Sequence, residues 1–155
     1  MTASSDYSTE IVDELSAEQL EVINGSLRVY NQTANPELWA KFDDPSHDPK
    51  PLQVAASDNA NEIVGGLLAS TSMSWLKVDI MSVREGHRRQ GIGVLMLNAA
   101  EAEALLRGCK YGFLDTMDYQ APDFYRARGY DVAGSIPDWD SHGHTKFFFT
   151  KQLIT

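Results

Sequence analysis

The chain has 155 residues and a mass of 17.2 kDa, the size of one domain with one substantial core. Its 13 Lys+Arg against 22 Asp+Glu leave a formal net charge of −9, which argues against a dedicated nucleic-acid or anionic-membrane binder, since either needs a basic face. A single cysteine, Cys109, excludes an intramolecular disulfide framework and any multi-cysteine metal site, and suits a reducing compartment.

The first residues, Met1 to Tyr7, lack the basic start and apolar stretch of a secretory signal, and the longest apolar-and-glycine run, Ile63 to Ala69, is far short of a membrane span. The expectation is a cytoplasmic protein. Charge is unevenly spread: residues 1–50 hold ten acids against three bases, while the remainder is almost balanced.

In chain order, Tyr7–Asp13 reads as a first strand. Ser16 with Gln19 three residues on forms a capping-box pattern, opening a helix to about Tyr30 with Leu20, Ile23, Leu27 and Tyr30 at helical spacing. Asn35 to Pro51 reads as a short helical turn and an irregular loop. Leu52–Ser57 and Ile63–Ser72 flank the turn Asp58-Asn-Ala-Asn61 as a hairpin, and Trp75–Val83 is another strand. Gly91–Arg107 is a helix with an apolar stripe, ended by Gly108. Tyr111–Thr116 is a strand, Pro122–Arg128 a short helix, and Tyr130–Ser135 and Thr145–Leu153 the last two strands. This pattern predicts an α+β (mixed α/β) domain spanning 1–155, with helices packed on a mixed sheet.

The chemistry concentrates in Val83-Arg-Glu-Gly-His-Arg-Arg-Gln-Gly-Ile-Gly93, which joins a strand to the start of the strong helix. Its glycines admit close backbone approach, the helix start offers N–H groups without internal partners, and Arg84, Arg88 and Arg89 make it the most basic short window in an acidic chain. These features suit a phosphate or pyrophosphate. The spacing fails the Walker pattern, which needs Gly-Lys-Ser/Thr, and fails the dinucleotide pattern, which needs a small residue where Met96 stands. It meets Arg/Gln-x-x-Gly-x-Gly/Ala in Arg88-Arg-Gln-Gly-Ile-Gly93. By itself that hexapeptide is also compatible with a glycine-rich turn carrying surface arginines.

This loop resembles the acetyl-CoA loop of the GCN5-related N-acetyltransferase (GNAT) superfamily. The resemblance extends through Leu114-Asp-Thr116, Gln120-Ala-Pro-Asp-Phe-Tyr-Arg-Ala-Arg-Gly-Tyr130, Gly143-His-Thr-Lys-Phe-Phe-Phe149 and Lys151-Gln-Leu153, a bacterial-type pattern. It covers about residues 63 to 153. It implies a GNAT-like fold: a twisted mixed sheet of about seven strands, a V-shaped splay between strands 4 and 5, and helices on both faces. It also implies acetyl-CoA as co-substrate, transfer to a primary amine by direct attack in a ternary complex, and relatives that are often homodimers.

Carried over residue by residue, the backbone of Arg88, Arg89, Gln90, Gly91, Ile92, Gly93 and Val94 would bind the pyrophosphate. Met81 and Val83 would pair with the pantetheine arm, with Asp118 and Phe124 close by. Many relatives carry Asn where Asp118 stands, and an ionised carboxylate can only accept, so that contact differs here. Tyr125 occupies the position of the family's tyrosine that protonates the departing thiolate; its competing role is an amphipathic core tyrosine.

Strict alternation along Trp75–Val83 would place Trp75, Lys77, Asp79, Met81 and Val83 on one face, making Asp79 the carboxylate for deprotonating an amine, or simply a half-exposed strand residue. By the resemblance, the loop before the last strand and the segment after the first helix border the acceptor. Trp39, Asp43, Asp138, Trp139 and His142 are then the acceptor-site candidates, with acids favouring a small cationic amine. A binding protein that senses acetyl-CoA, and an enzyme acting on protein lysines or N-termini, are the alternatives. Cys109 sits away from the loop with no nearby histidine, and Asp138-Trp-Asp-Ser-His-Gly-His144 matches no dedicated metal spacing, so neither a covalent cysteine mechanism nor a metal is expected.

Overall fold

The computed structural model describes residues 6–153. It falls into two compact units divided between Ser46 and His47.

The N-terminal unit holds α1 (Ala17–Ala34) and α2 (Pro36–Phe42). Ser16 caps α1 in a full capping box: its hydroxyl accepts from Gln19 N at 3.2 Å while the Gln19 side chain accepts from Ser16 N at 2.8 Å. Asn35 ends α1 and caps α2, its side chain accepting from Leu38 N, and Pro36 occupies a first-turn position where no N–H is needed. Trp39 meets Phe42 edge to face at 5.4 Å. The strand expected over Tyr7–Asp13 is absent: these residues form neither strand nor helix, and Tyr7 and Ile11 are exposed. β-formers alone do not make a strand without an edge to pair with.

The second unit is a six-stranded mixed sheet with two helices. Its elements are β1 (Lys50–Ser57), β2 (Ile63–Ser72), β3 (Trp75–Val83), α3 (Ile92–Leu106), β4 (Tyr111–Met117), α4 (Pro122–Ala127), β5 (Asp131–Ile136) and β6 (Lys146–Gln152), and the strand order is β1-β2-β3-β4-β6-β5. Among the described residues six strands therefore stand where about seven were expected. The Asp58 turn forms as read, with the Asp58 carboxylate accepting from the Ala60 and Glu62 N–H groups.

β3 and β4 are parallel, joined by α3, and pair only from Trp75↔Tyr111 to Val78↔Leu114. Beyond Val78 the two strands part, so the expected splay lies between β3 and β4. On its other edge β3 carries a bulge. Leu68 pairs with Ile80 and Ala69 with Val78, leaving Asp79 as the extra residue. The bulge reverses the alternation. Val78 is buried, Met81 and Val83 pack against the core, and Trp75, Lys77 and Ile80 are exposed. The single face expected for Trp75, Lys77, Asp79, Met81 and Val83 is thus corrected, because one inserted residue moves everything after it to the opposite side.

The core lies between the sheet and α3, built from Leu52, Leu67, Leu76, Met96, Leu97, Ala100, Leu114, Tyr130 and Phe149. Cys109 belongs to it, with its thiol pushed up by burial, which suits packing rather than nucleophilic chemistry. Two polar anchors fix α3. At its C-terminal end Arg107 donates to Pro51 O at 3.0 Å and to the buried Thr71 hydroxyl at 3.2 Å. Midway, Glu101 accepts from the Lys151 ammonium at 2.8 Å and from the Tyr130 hydroxyl at 3.0 Å, tying α3 to β6.

Tyr130 fits because Gly112 on β4 has no side chain: a Cβ there would lie 2.9 Å from the Tyr130 hydroxyl. Gly112→Ala is expected to cost about 1–3 kcal/mol in urea unfolding, the usual penalty of overpacking a core. Adding Tyr130→Phe should recover part of that loss; strictly additive losses would contradict the proposed clash.

Candidate active site

The strand-to-helix loop folds into an anion cradle. A 3-10 turn (Glu85–His87) leaves β3, Arg89 and Gly91 adopt left-handed backbone (φ 61° and 80°), and α3 starts at Ile92 with no side chain capping it. Gly91 carries this geometry without strain, whereas a side chain here would cost energy. The first intrahelical acceptor is Gly91 O, bonded by Leu95 N at 3.1 Å, so the N–H groups of Ile92, Gly93 and Val94 have no partner within the helix. The helix dipole adds a partial positive charge at that point. Arg88 is partly committed to shaping the loop, its Nε donating to Val83 O at 3.0 Å.

α4 closes the other side. Gly93 permits this: a Cβ there would lie 3.3 Å from the Phe124 ring. Between these elements lies a cavity of about 720 Å³, the scale of a small-molecule or cofactor site. Met81, Val83, Arg88, Arg89, Gly91, Ile92, Gly93, Val94, Asp118 and Phe124 all line it; Gln90, the remaining cofactor candidate, does not appear on its wall. His87, Ser82 and the Gln120–Asp123 segment line it too and were not singled out from sequence. Of these, Gln120 was legible in the Gln-Ala-Pro motif. Its side-chain oxygen accepts from Met117 N at 2.8 Å, turning the chain from β4 into α4.

A second cavity of about 230 Å³ occupies the splay between β3 and β4, lined by Asp79, Ile80, Asp115, Thr116 and, on the side it shares with the larger cavity, Met81 and Tyr125. Tyr125 is thus common to both, together with Met81, Gln120 and Ala121. It is 7% exposed, edge-on to Phe124 at 5.2 Å and to Tyr130 at 6.0 Å. Burial raises its phenol above the ordinary value, so it stays protonated through neutral and mildly alkaline pH. Asp79 borders the smaller cavity from the bulge, with its carboxylate 3.1 Å from the Lys77 ammonium.

Asp118 turns away from a donor role. One carboxylate oxygen accepts from Thr145 N at 2.8 Å and the other lies 2.9 Å from His144 Nδ1. The Thr145 N–H, aided by His144, holds the carboxyl below its usual range, so it is ionised, and these bonds fasten the start of β6. The loop from β5 to β6 is a tight knot. Asp138 accepts from Gly143 N, and Asp140 accepts from His142 N and His144 N. It presents Trp139 edge-on to Phe148 at 6.2 Å, while His142 bends back onto Asp140 O and is exposed. Trp39 lies on α2 and Asp43 follows it, both within the N-terminal unit. No group of metal-binding side chains occurs among the described residues. Nor is any helix among them long and apolar enough to cross a membrane.

An uncapped helix start facing a groove beside a prematurely parted parallel strand pair suits a ligand with an anionic end and an extended arm. The particular family follows from comparison with known proteins. The model of the Acetyltransferase (GNAT) family matches residues 13–130, and the chain belongs to that family. It is 36% identical over 131 residues to blasticidin-S acetyltransferase from Streptomyces morookaense, covering 82% of this chain and 96% of that protein. Among solved structures it is similar to an acetyltransferase from Bacillus cereus (TM-score 0.71, 24% identity, 92% of this chain and 97% of that one). It also resembles a GNAT family acetyltransferase from Elizabethkingia anophelis with acetyl-CoA bound (TM-score 0.58, 17% identity, 66% of this chain and 76% of that one). The protein is therefore a GNAT N-acetyltransferase, of a family that uses acetyl-CoA.

Gly91→Glu sets a carboxylate and a strained left-handed residue at the positive end of α3. CoA affinity measured by calorimetry is expected to fall at least about tenfold, with Gly91→Ala losing less because it adds strain without charge. Unchanged affinity in the glutamate variant would remove the cradle as the phosphate site.

Proposed function

We propose that this enzyme transfers the acetyl group of acetyl-CoA to the primary amine of a small cationic molecule, by direct attack with both reactants in the cleft. The observation that carries this reading is Tyr125, buried, protonated and shared by the cradle cavity and the splay cavity. Similarity to blasticidin-S acetyltransferase over nearly the whole of that protein supports a small-molecule acceptor rather than a protein side chain or terminus.

The residues present fit the carrier. The Ile92, Gly93 and Val94 N–H groups and the Arg88 and Arg89 charges suit a pyrophosphate. The β4-facing backbone of β3 past Val78 has no strand partner and suits an amide-bearing arm running past Met81 and Val83. Acetyl-CoA supplies an acetyl thioester whose sulfur leaves as a thiol.

The chain's own groups manage the protons. An alkylamine is protonated at neutral pH and must lose a proton to become a nucleophile. Asp79, at the rim of the splay cavity, takes that proton directly or through water. As the C–N bond forms and the C–S bond breaks, the Tyr125 hydroxyl protonates the departing sulfur, and the second proton lost by the acylated nitrogen returns through water to the Tyr125 phenolate, while the proton taken by Asp79 passes to solvent. Holding both reactants in adjoining cavities removes much of the entropic cost of their encounter.

Tyr125→Phe is expected to lower kcat by about 10²-fold or more while leaving CoA affinity within about twofold. Because the phenol is raised, wild-type kcat should hold level to about pH 10, with no alkaline limb at lower pH. Asp79→Asn should lower kcat/KM on the order of 10²-fold at pH 7 and progressively less toward the amine's own pKa near 10.4, where a base is no longer required. An equal loss at every pH would show Asp79 to be structural only.

A further inference from the structure

A second carboxylate of the splay cavity, Asp115, is already paired with a cation of the chain itself. Asp115, which lines that cavity, sits directly across the β4–β6 ladder from Phe148. Its carboxylate lies 3.2 Å from the Lys146 ammonium. That ammonium lies 4.5 Å from the centre of the Trp139 ring and 5.6 Å from that of Phe148. The knot of the β5–β6 loop holds Trp139 edge-on to Phe148, and Phe113 stacks on Phe148 from the far side at 6.5 Å. One carboxylate and two aromatic faces converging on one ammonium make a seat for an organic cation, and here the enzyme's own lysine fills it. Lys146 is only 20% exposed in its side chain, whereas Asp115 is 40% exposed and reachable from the cavity.

The reacting amine cannot use this seat. It has to give up its charge to attack, and a seat that adds two aromatic faces to a carboxylate favours the charged form over the neutral one. A steering cation must therefore be a different group on the same molecule.

We propose that the acceptor is at least dicationic, and that Asp115, Trp139 and Phe148 bind its second, non-reacting cationic group after displacing Lys146. Lys146 is thus a built-in competitor. It keeps the seat from standing as a desolvated, unpaired carboxylate and swings to solvent when an acceptor's cation takes its place. Because the exchange replaces one cation with another, the net gain is small and depends on how well the incoming group lies on the rings. Monoamines gain nothing from it. The inference rests on the amine-acetyltransferase reading, whose acceptor class it narrows.

Binding and turnover test the two separately. Calorimetry on CoA-saturated enzyme would compare α,ω-diaminoalkanes of three to eight carbons with monoalkylamines of equal length. A preference of roughly three- to tenfold for the best diamine is expected in the wild type, from a partly exposed ion pair and a cation–π contact. It should vanish in Asp115→Asn, shrink in Trp139→Leu and widen in Lys146→Met. Trp139→Leu and Lys146→Met carry the test if Asp115→Asn folds poorly by circular dichroism. No diamine preference, or one that these variants leave unchanged, overturns the proposal. Acetylation of the same amines is followed by CoA release. If diamines bind with the expected preference and none is acetylated, the seat stands and the primary-amine reading fails.

Discussion

The parting of β3 from β4 after Val78↔Leu114 is the constraint from which the site follows. Parallel strands ordinarily run their ladder to the end, because unpaired backbone groups are costly inside a protein. Here the ladder stops at the residue before the Asp79 bulge, which bends β3 and increases its local twist. The same bulge turns Met81 and Val83 toward the core and leaves Asp79 at the rim of the opening. Past this inserted residue the sheet has a gap, with β3 residues Asp79 and Ile80 on one side, Asp115 and Thr116 of β4 on the other, and β3 backbone facing it without a β4 partner.

An opening through a sheet must be held apart by something rigid, and α3 supplies that rigidity. Arg107 ties its C-terminal end to β1 and β2, and Glu101 ties its middle to Lys151 and Tyr130. With both points fixed, the uncapped N-terminal end is presented at a constant place. Phe124 can then pack against Gly93, and α4 carries Tyr125 to the junction of the two cavities. The helix that looks like a covering element is the strut that sets the glycine-arginine loop at its N-terminal end against Phe124 and Tyr125 of α4.

Charge acts at two scales. The net −9 sets what approaches the molecule, disfavouring polyanions and permitting cations. Within the cleft, bulk charge matters less than pairing. Asp79 and Asp115, which both line the splay cavity, each face a lysine, so the charge of these two carboxylates is balanced locally. On the proposed second-cation seat, discrimination among amines would come from the exchange of one cation for another rather than from an open acidic pool.

Much of the fold was legible because its signals are local. Ser16 with Gln19, Asn35-Pro36, the Asp58 turn and Gly91-Ile-Gly93 each specify a backbone conformation within a few residues. The strand bounds of Ile63–Ser72 and Trp75–Val83 follow from runs of β-formers between turns. Tyr7–Asp13 misled because strand propensity describes a residue's fit to a pleated surface and says nothing of whether a partner edge exists.

Sequence by itself determined the class of the protein: an ordered pair of motifs, one a glycine-arginine loop before a helix, the other an aromatic turn around Tyr125, identified the family and its carrier. Only the tertiary structure decided which face each residue of β3 occupies, because a bulge is an event between two strands and leaves no mark in the alternation of one. Likewise Asp118, read as a cofactor contact, lines the larger cavity while its oxygens also bond Thr145 and His144, and Lys146 drew no attention although it lies against Asp115, Trp139 and Phe148. Those partners lie tens of residues away in the chain or on a neighbouring loop, and only folding brings them within reach of one another.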